Sequence, residues 1–391
     1  MRIAFVGPFG LKPKGTMAVR ALPLAKALTA RGHSLALFLP PWSYPQDAGR
    51  VSKEDGVRVE NVAIAPRAAI PQRLLSRVRA FQPDAVHVFK PKAYAGLTQW
   101  LWWQMRRAGF HKTRIVLDTD DWEGAGGWND REPYSWAQKK FFAWQERWGL
   151  THADRITVAS RALETLVWSL GVPREQVVYV PNGVNPLPPS LSTRAETRAR
   201  YGLDDARVML LYTRFFEFDL ERLADIVTRV MQQRPDAKLL VVGKGLFGEE
   251  KQFLEMAVAR GWRERVVDAG WVEPTQLRAL FAAADVALYP FDDTLLNRTK
   301  CPVKLVDLLA AGVPVVGEAV GQIREYIQND KSGILVESRD ADAFARRVIE
   351  LLSDDVLRAR LGACAAATLA REYTWERLAE RVERAYFAVT A

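Results

Sequence analysis

Apolar, strand-like runs alternate with amphipathic helical stretches along this chain, in two cycles separated by one proline-rich break. That alternation restricts the fold strongly, because strands that are each followed by a helix pair in parallel and carry helices on both faces of the sheet. The first cycle opens with RIAFVG at 2–7, an apolar run ending in glycine. A glycine-containing loop, PFGLKPKGT, leads into AVRALPLAKALTARG, a helix stopped by Gly32, and LALFLP at 35–40 is the next strand. Further strands are expected at 85–89, 114–119 and 155–159. The segment 180–193, VPNGVNPLPPSLST, has four prolines and little apolar content, as a domain boundary does. The second cycle supplies strands at 208–213, 237–243, 265–270, 285–291 and 313–317. Its helices are expected at 219–233, 249–260, 274–283, 302–311, 322–328 and 340–352. WERLAERVERAYFAV then reads as one more amphipathic helix. The pattern predicts an α/β protein of two doubly wound parallel-sheet domains, 1–183 and 196–370, with a linker at 184–195 and a C-terminal helix in 371–391. Ligands in such sheets bind beyond the carboxyl ends of the strands. The first loop is not GxGxxG, so the dinucleotide fingerprint is absent.

With 49% apolar and 26% charged residues in 391, disorder is excluded and two cores are affordable. No apolar run approaches the roughly 18–20 residues of a membrane span. MRIAFVGPFG lacks the layout of a signal peptide, and the two cysteines, Cys301 and Cys364, lack zinc-ligand spacing, so a reducing cytoplasm is the expected compartment. The net charge of +9 is uneven: between Arg67 and Arg114 there are ten Lys/Arg and one acidic residue, Asp84. That excess implies an anionic partner: phosphates, nucleic acid or acidic lipid. The same interval holds YAGLTQWLWWQMRR, in which Trp beside Arg is the signature of a helix lying on a membrane surface. The alternative is a core helix with a basic end. No nucleic-acid recognition module is visible.

Lys300 to Val316, KCPVKLVDLLAAGVPVV, reads as loop, short helix, glycine stop and strand. Pro302 suits a first helical turn, and Gly312 ends the helix. Lys304 and Asp307, three apart, share one face. A helix N-terminus with a lysine, just beyond a strand's carboxyl end, can seat a phosphate, and a carboxylate one turn on can accept from ribose hydroxyls. The plainer alternative is a surface Lys–Asp pair.

Several stretches together carry a more specific resemblance. They are ADRITVASRALETLVWSLGVPREQVVYVPNGV at 153–184, YTRF at 212–215, AKLLVVGKG at 237–245, VVDAGWVEPTQLRALFAAADVALYPF at 266–291 and VKLVDLLAAGVPVVGEAVGQIREYIQNDKSGILVES at 303–338. They resemble the GT-B glycosyltransferases of glycosyltransferase family 4 over nearly the whole chain. The resemblance implies two Rossmann-like domains facing across a cleft, with the C-terminal helix packing back on the first. It also implies a nucleotide-sugar held mostly by the second domain, retention of configuration, and no metal or other cofactor.

Carried over by residue, Asp307 stands where the family has the second Glu of its Glu–seven residues–Glu motif, which binds the donor ribose. Thr299 stands where the first Glu would be. Arg214 matches the arginine that contacts the donor diphosphate, and Asp219 replaces the lysine expected five residues on, leaving Lys300 and Lys304 to supply positive charge. Val272, in the turn Gly270–Trp271–Val272, falls where the backbone reads the nucleobase. Gly15 and Thr16 occupy the N-terminal loop that approaches the phosphates. Asp120 holds the place of a histidine that lies beside the sugar in many members, with Asp121 next to it. A carboxylate there can steady an oxocarbenium-like transition state. Asp118 and Asp120 also spell Asp–X–Asp, a metal motif of the other glycosyltransferase fold, but the strand pattern is not that fold's. His87 and Lys90 could reach acceptor or phosphate, and Glu217 could lie near the diphosphate.

The expected activity is thus transfer of a sugar from a nucleotide diphosphate donor to an acceptor hydroxyl, with a lipid-linked or polysaccharide acceptor and a peripheral site on the inner face of a membrane. Two other readings stay open: a degenerate relative that binds nucleotide-sugar or a partner without catalysis, motivated by Thr299 and Asp219, and a sugar-nucleotide epimerase.

Overall fold

Strand 2–6 shows why the sheet is covered on both sides. Ile3 and Phe5 enter one apolar cluster while Ala4 and Val6 enter another, and the next strand divides in the same way into Leu35, Leu37 and Leu39 against Ala36 and Phe38. With a side-chain period of two, such a strand has no solvent face and must lie inside a layered α/β unit.

The computed structural model describes residues 1–13 and 15–387. The last four residues of the expected 371–391 segment lie outside the described residues. The chain divides into two units, one formed by Met1–Gly183, Arg298–Cys301 and the residues from Thr374 onward, the other by Val184–Asn297 and Pro302–Tyr373.

In the N-terminal unit the strands are β1 (Arg2–Val6), β2 (Ser34–Leu39), β3 (Val51–Glu54), β4 (Val57–Asn61), β5 (Ala85–Phe89), β6 (Arg114–Thr119), β7 (Arg155–Val158) and β8 (Val177–Tyr179). Their order is β3-β4-β2-β1-β5-β6-β7-β8. All pairs are parallel except β3 with β4, which form an antiparallel hairpin at one edge. The helix Leu22–Ala30 and the C-terminal helix Trp375–Tyr386 share one face of the sheet, where Leu24, Leu28, Trp375, Leu378 and Val382 meet. The other face is covered by the helices Ile70–Phe81, Ala93–Arg107 and Arg161–Ser169, through Leu74, Val78, Trp102, Leu163 and Val167.

Here the tryptophan-rich segment receives its answer. Trp102 is 3% exposed and belongs to the core, and Trp100 and Trp103 are partly covered, so the helix Ala93–Arg107 is the core helix with a basic end.

In the C-terminal unit the strands are β9 (Arg207–Thr213), β10 (Ala237–Gly243), β11 (Val266–Gly270), β12 (Val286–Tyr289), β13 (Val315–Glu318) and β14 (Ile334–Val336). They lie in the order β11-β10-β9-β12-β13-β14, all parallel, so β9 is central. The expected helix 322–328 shrinks to Ile323–Tyr326, and a helix not read from the sequence spans Asp355–Glu372. Gly243, at φ 126°, lies against the last residue of β9: a Cβ there would sit 2.0 Å from the Thr213 carbonyl oxygen. Glycine is required where β10 closes on the strand that presents Arg214.

Candidate active site

In the N-terminal unit, sheet register brings the chemistry to one place. Phe89 pairs with Asp118, and Asp118 with Thr157, so the residues just past β5 and β6 emerge side by side. Lys90 takes a left-handed backbone (φ 50°), uncommon for a residue with a side chain and a mark of a position constrained from outside. Its ammonium lies 3.0 Å from Asp120 Oδ1, 3.0 Å from Asp121 Oδ2 and 3.1 Å from Glu123 Oε1. Lys92 adds a 2.6 Å contact to Glu123 Oε2.

The N-terminal loop closes the other side of Asp120. The Gly15 carbonyl accepts from the N–H groups of Ala18 (2.9 Å) and Val19 (3.0 Å), starting the π-helical turn Met17–Ala21. Thr16, at the head of that turn, donates its hydroxyl to Asp120 Oδ2 at 2.6 Å. Arg20, on the same turn and fully buried, grips Asp118 with two nitrogens at 2.8 and 2.6 Å and reaches Asn182 Oδ1 at 3.2 Å. Short π segments recur at functional sites because they re-aim side chains within a helix.

Electrostatics separate the two adjacent aspartates. Burial pushes the Asp120 carboxyl up, but Lys90 and Arg20, helped by the Thr16 hydroxyl, outweigh it and hold the group below the usual carboxylate range. For Asp121, burial and the neighbouring Asp120 charge win over Lys90 and Lys300, and its carboxyl is raised. Behind them, Glu146 accepts the Glu123 N–H at 2.8 Å. Burial, and then the Glu123 charge, push its carboxyl well up.

The expected reach of His87 and Lys90 toward acceptor or phosphate is corrected by this geometry. His87 is fully buried between the Tyr386 hydroxyl (2.7 Å) and the Thr157 hydroxyl (3.1 Å), and burial followed by the Arg20 charge keeps it neutral. It is a core residue. Lys90, 6% exposed, is taken up by three carboxylates rather than turned outward. Thr299 is buried too, with its carbonyl accepting from the Ser160 hydroxyl at 2.6 Å. Lys300 is partly exposed beside it, near enough for its charge to act on Asp121.

In the C-terminal unit, Arg214, Lys304 and Asp307 gather at the carboxyl ends of β9 and β12. Arg214 is exposed just past β9, where Phe215 adopts φ 66° and donates its N–H to the Thr213 hydroxyl at 2.9 Å. The helix Val303–Ala310 places the Lys304 ammonium 3.6 Å from the centre of the Tyr212 ring, a cation–π contact. Asp307, one turn on, is 4% exposed, so the surface-pair reading of Lys304 and Asp307 is set aside. Burial and then the Asp307 charge push the Tyr212 hydroxyl up. Glu217 is buried and lines a small pocket with Tyr212, Thr213, Tyr289 and Lys304. Val272 is half-buried beyond edge strand β11. Asp219, which stands in place of a lysine, caps the helix Leu220–Gln233 by accepting the Arg222 N–H at 2.8 Å.

Sequence reasoning missed Arg20, Asn182, Glu123, Glu146 and Tyr212. Only Glu123 carried a signal, as the end of the acidic run that begins at Asp118. Among the described residues, no group of three or more His, Cys, Asp or Glu is placed to hold a metal ion. No described helix is long and apolar enough to cross a membrane.

Residues 15–183 match the Glycosyl transferase 4-like domain, and residues 207–354 match Glycosyl transferases group 1. A D-inositol 3-phosphate glycosyltransferase of Xylanimonas cellulosilytica is 27% identical over 97% of this chain and 93% of its own. A phosphatidyl-myo-inositol mannosyltransferase of Mycobacterium leprae is 26% identical over 100% of this chain and 97% of its own. Among solved structures, a sucrose-phosphate synthase from Thermosynechococcus elongatus superposes with a TM-score of 0.74 at 20% identity, covering 99% of this chain and 98% of that one. Anabaena HepE in complex with UDP and glucose superposes with a TM-score of 0.71 at 18% identity, covering 98% of each chain. With residues 15–183 and 207–354 matched by two glycosyltransferase models and the two-sheet fold shared with solved GT-B structures over nearly the whole chain, the chain belongs to the GT-B glycosyltransferases of family 4.

Proposed function

We propose that the chain transfers a sugar, with retention of configuration and without a metal, from a nucleotide diphosphate donor to a hydroxyl of a lipid-linked acceptor. The observation that carries the donor side is the cluster at the carboxyl ends of β9 and β12, where two cations and a carboxylate are set by one central strand and one short helix. Arg214 and Lys304 are cations suited to the diphosphate, and Asp307 is an acceptor suited to ribose hydroxyls. Protein cations at that point replace the charge a divalent ion would bring. Val272 falls to the base, as in similar proteins.

Asp120 is read as the group that meets the reacting sugar. Fixed by Thr16 and Lys90 and held ionised, it presents negative charge of defined position to a transition state that gains positive charge. Asp121, with the raised carboxyl, is the one of the pair that can carry a proton. The glycolipid reading of the acceptor is supported by relatives whose names specify phosphatidylinositol acceptors, and it implies work at the inner face of a membrane.

The test is a screen of UDP-, GDP- and ADP-sugars with the purified chain, following nucleotide release with and without EDTA and the anomer of the product by proton NMR. Asp120→Asn should lower turnover by about a hundredfold or more while nucleotide binding persists. Nucleotide binding with no turnover in the unaltered chain would instead establish the degenerate binding protein. Inversion at the anomeric carbon, or loss of activity in EDTA, would remove the corresponding part of the proposal.

A further inference from the structure

The helix Trp136–Thr151 starts with a capping box, in which Ser135 and Gln138 each satisfy the other's backbone N–H. It buries Gln145, Glu146, Gly149 and Leu150 on one side and leaves large rings in solvent on the other. Trp136 is 75% exposed, Trp144 45% and Phe141 38%. Positions 136, 140, 144 and 147 recur at helical spacing, so the exposed Lys140 and Arg147 stand among the rings.

The rings form a row. Phe141 and Trp144 stack at 5.8 Å, Trp144 and Trp148 at 6.1 Å, and Trp148 meets Trp103 of the neighbouring helix edge-on at 5.6 Å. Arg107 ends the row, its guanidinium 5.6 Å from the Trp103 ring. The acidic residues between Arg131 and Thr151 are Glu132 and Glu146, and Glu146 is buried, so the charge beside the rings is positive. A soluble domain rarely leaves such a continuous aromatic face uncovered unless it meets a partner.

We propose that this face docks on the surface of an anionic phospholipid bilayer. The rings enter the boundary between headgroups and acyl chains, and Lys140, Arg147 and Arg107 meet lipid phosphates. Charge selects this occupant: a neutral glycan could stack on the rings but would not engage the cations. The proposal rests on the lipid-linked reading of the acceptor and centres its membrane contact on the exposed rings of the helix Trp136–Thr151, to which the tryptophan-rich helix Ala93–Arg107 adds Trp103 and Arg107 at its end.

The full chain is floated with vesicles of phosphatidylcholine alone and of phosphatidylcholine with phosphatidylglycerol. We expect binding at least about tenfold stronger to the anionic vesicles, weakening as salt is raised. Trp136→Ala, Phe141→Ala and Trp144→Ala combined should reduce that binding about tenfold or more, with the melting temperature and donor hydrolysis in solution retained. Lys140→Glu with Arg147→Glu should weaken it without altering any ring, and so serves if the triple variant folds poorly. Phe247→Ala, at a 66% exposed ring of the C-terminal unit, should bind as the unaltered chain does. Equal binding to both vesicle types, undiminished binding by the charge-reversal variant, or protection of the tryptophans from a quencher by soluble glycan and not by vesicles would overturn the proposal. Vesicle binding without turnover would remove the transferase reading alone, and turnover without vesicle binding would remove this one alone.

Discussion

Asp120 and Asp121 adjoin in sequence, share Lys90, and are driven in opposite directions. What separates them is the second set of partners: Thr16 and Arg20 act on Asp120, whereas Asp121 feels Asp120 itself. Glu146 shows the cost of burial more simply, because its carboxyl is raised by burial and the Glu123 charge. The native state therefore keeps this proton at pH values where the unfolded chain has lost it. Its contribution to stability is complete below the unfolded carboxylate value of about 4.3 and is lost as pH rises through the higher folded value. Glu146→Gln cannot ionise, so its melting temperature relative to the unaltered chain should climb as pH rises above the unfolded carboxylate value of about 4.3. A difference that stays constant with pH would show that Glu146 is not protonated in the fold. At this scale local spacing placed Lys304 and Asp307 on one helix just past a strand, whereas the sequence offered Asp120 and Thr16 only through its family resemblance. It misplaced His87, because in a strand buried on both faces every side chain is interior, and no local pattern distinguishes a core histidine from one at the site.

Elements divide between those with their own local signal and those defined by neighbours. The helix Trp375–Tyr386 was legible from its apolar spacing, and it buries Trp375, Leu378, Ala379, Val382, Ala385 and Tyr386 in the N-terminal unit. Leu378→Ala should cost about 2–5 kcal/mol in urea unfolding, since the fully buried side chain leaves a cavity. A loss under about 0.5 kcal/mol would mean that the helix is not integral to that core. The hairpin β3–β4 was overlooked although Asp55–Gly56, both at positive φ, form the two-residue turn that suits such a connection. Its first strand is largely exposed, so it shows no apolar run. The helix Asp355–Glu372 buries only Leu361, Gly362, Ala365, Thr368 and Leu369, and its weakly one-sided pattern hid it.

For the whole molecule, a nucleoside diphosphate that binds only the folded chain should stabilise it by about 2.7 kcal/mol at a hundredfold excess over Kd. Scanning calorimetry with UDP, GDP and ADP reads this directly, and Arg214→Ala should shrink the shift for whichever nucleotide binds. An undiminished shift would place the diphosphate elsewhere. The net charge of +9 favours such anions in general but selects none of them. By itself the sequence determined two parallel-sheet units and the short helix that carries Lys304 and Asp307, because period-two and helical spacing are local and the end of a strand can be read from them. Tertiary structure alone decided which polar groups pair: Arg20 meets Asp118 across 98 positions and Thr16 meets Asp120 across 104. It also decided which aromatic residues remain outside, since Trp102 and Trp144 sit in equally basic helices and only packing against the sheet buried the first.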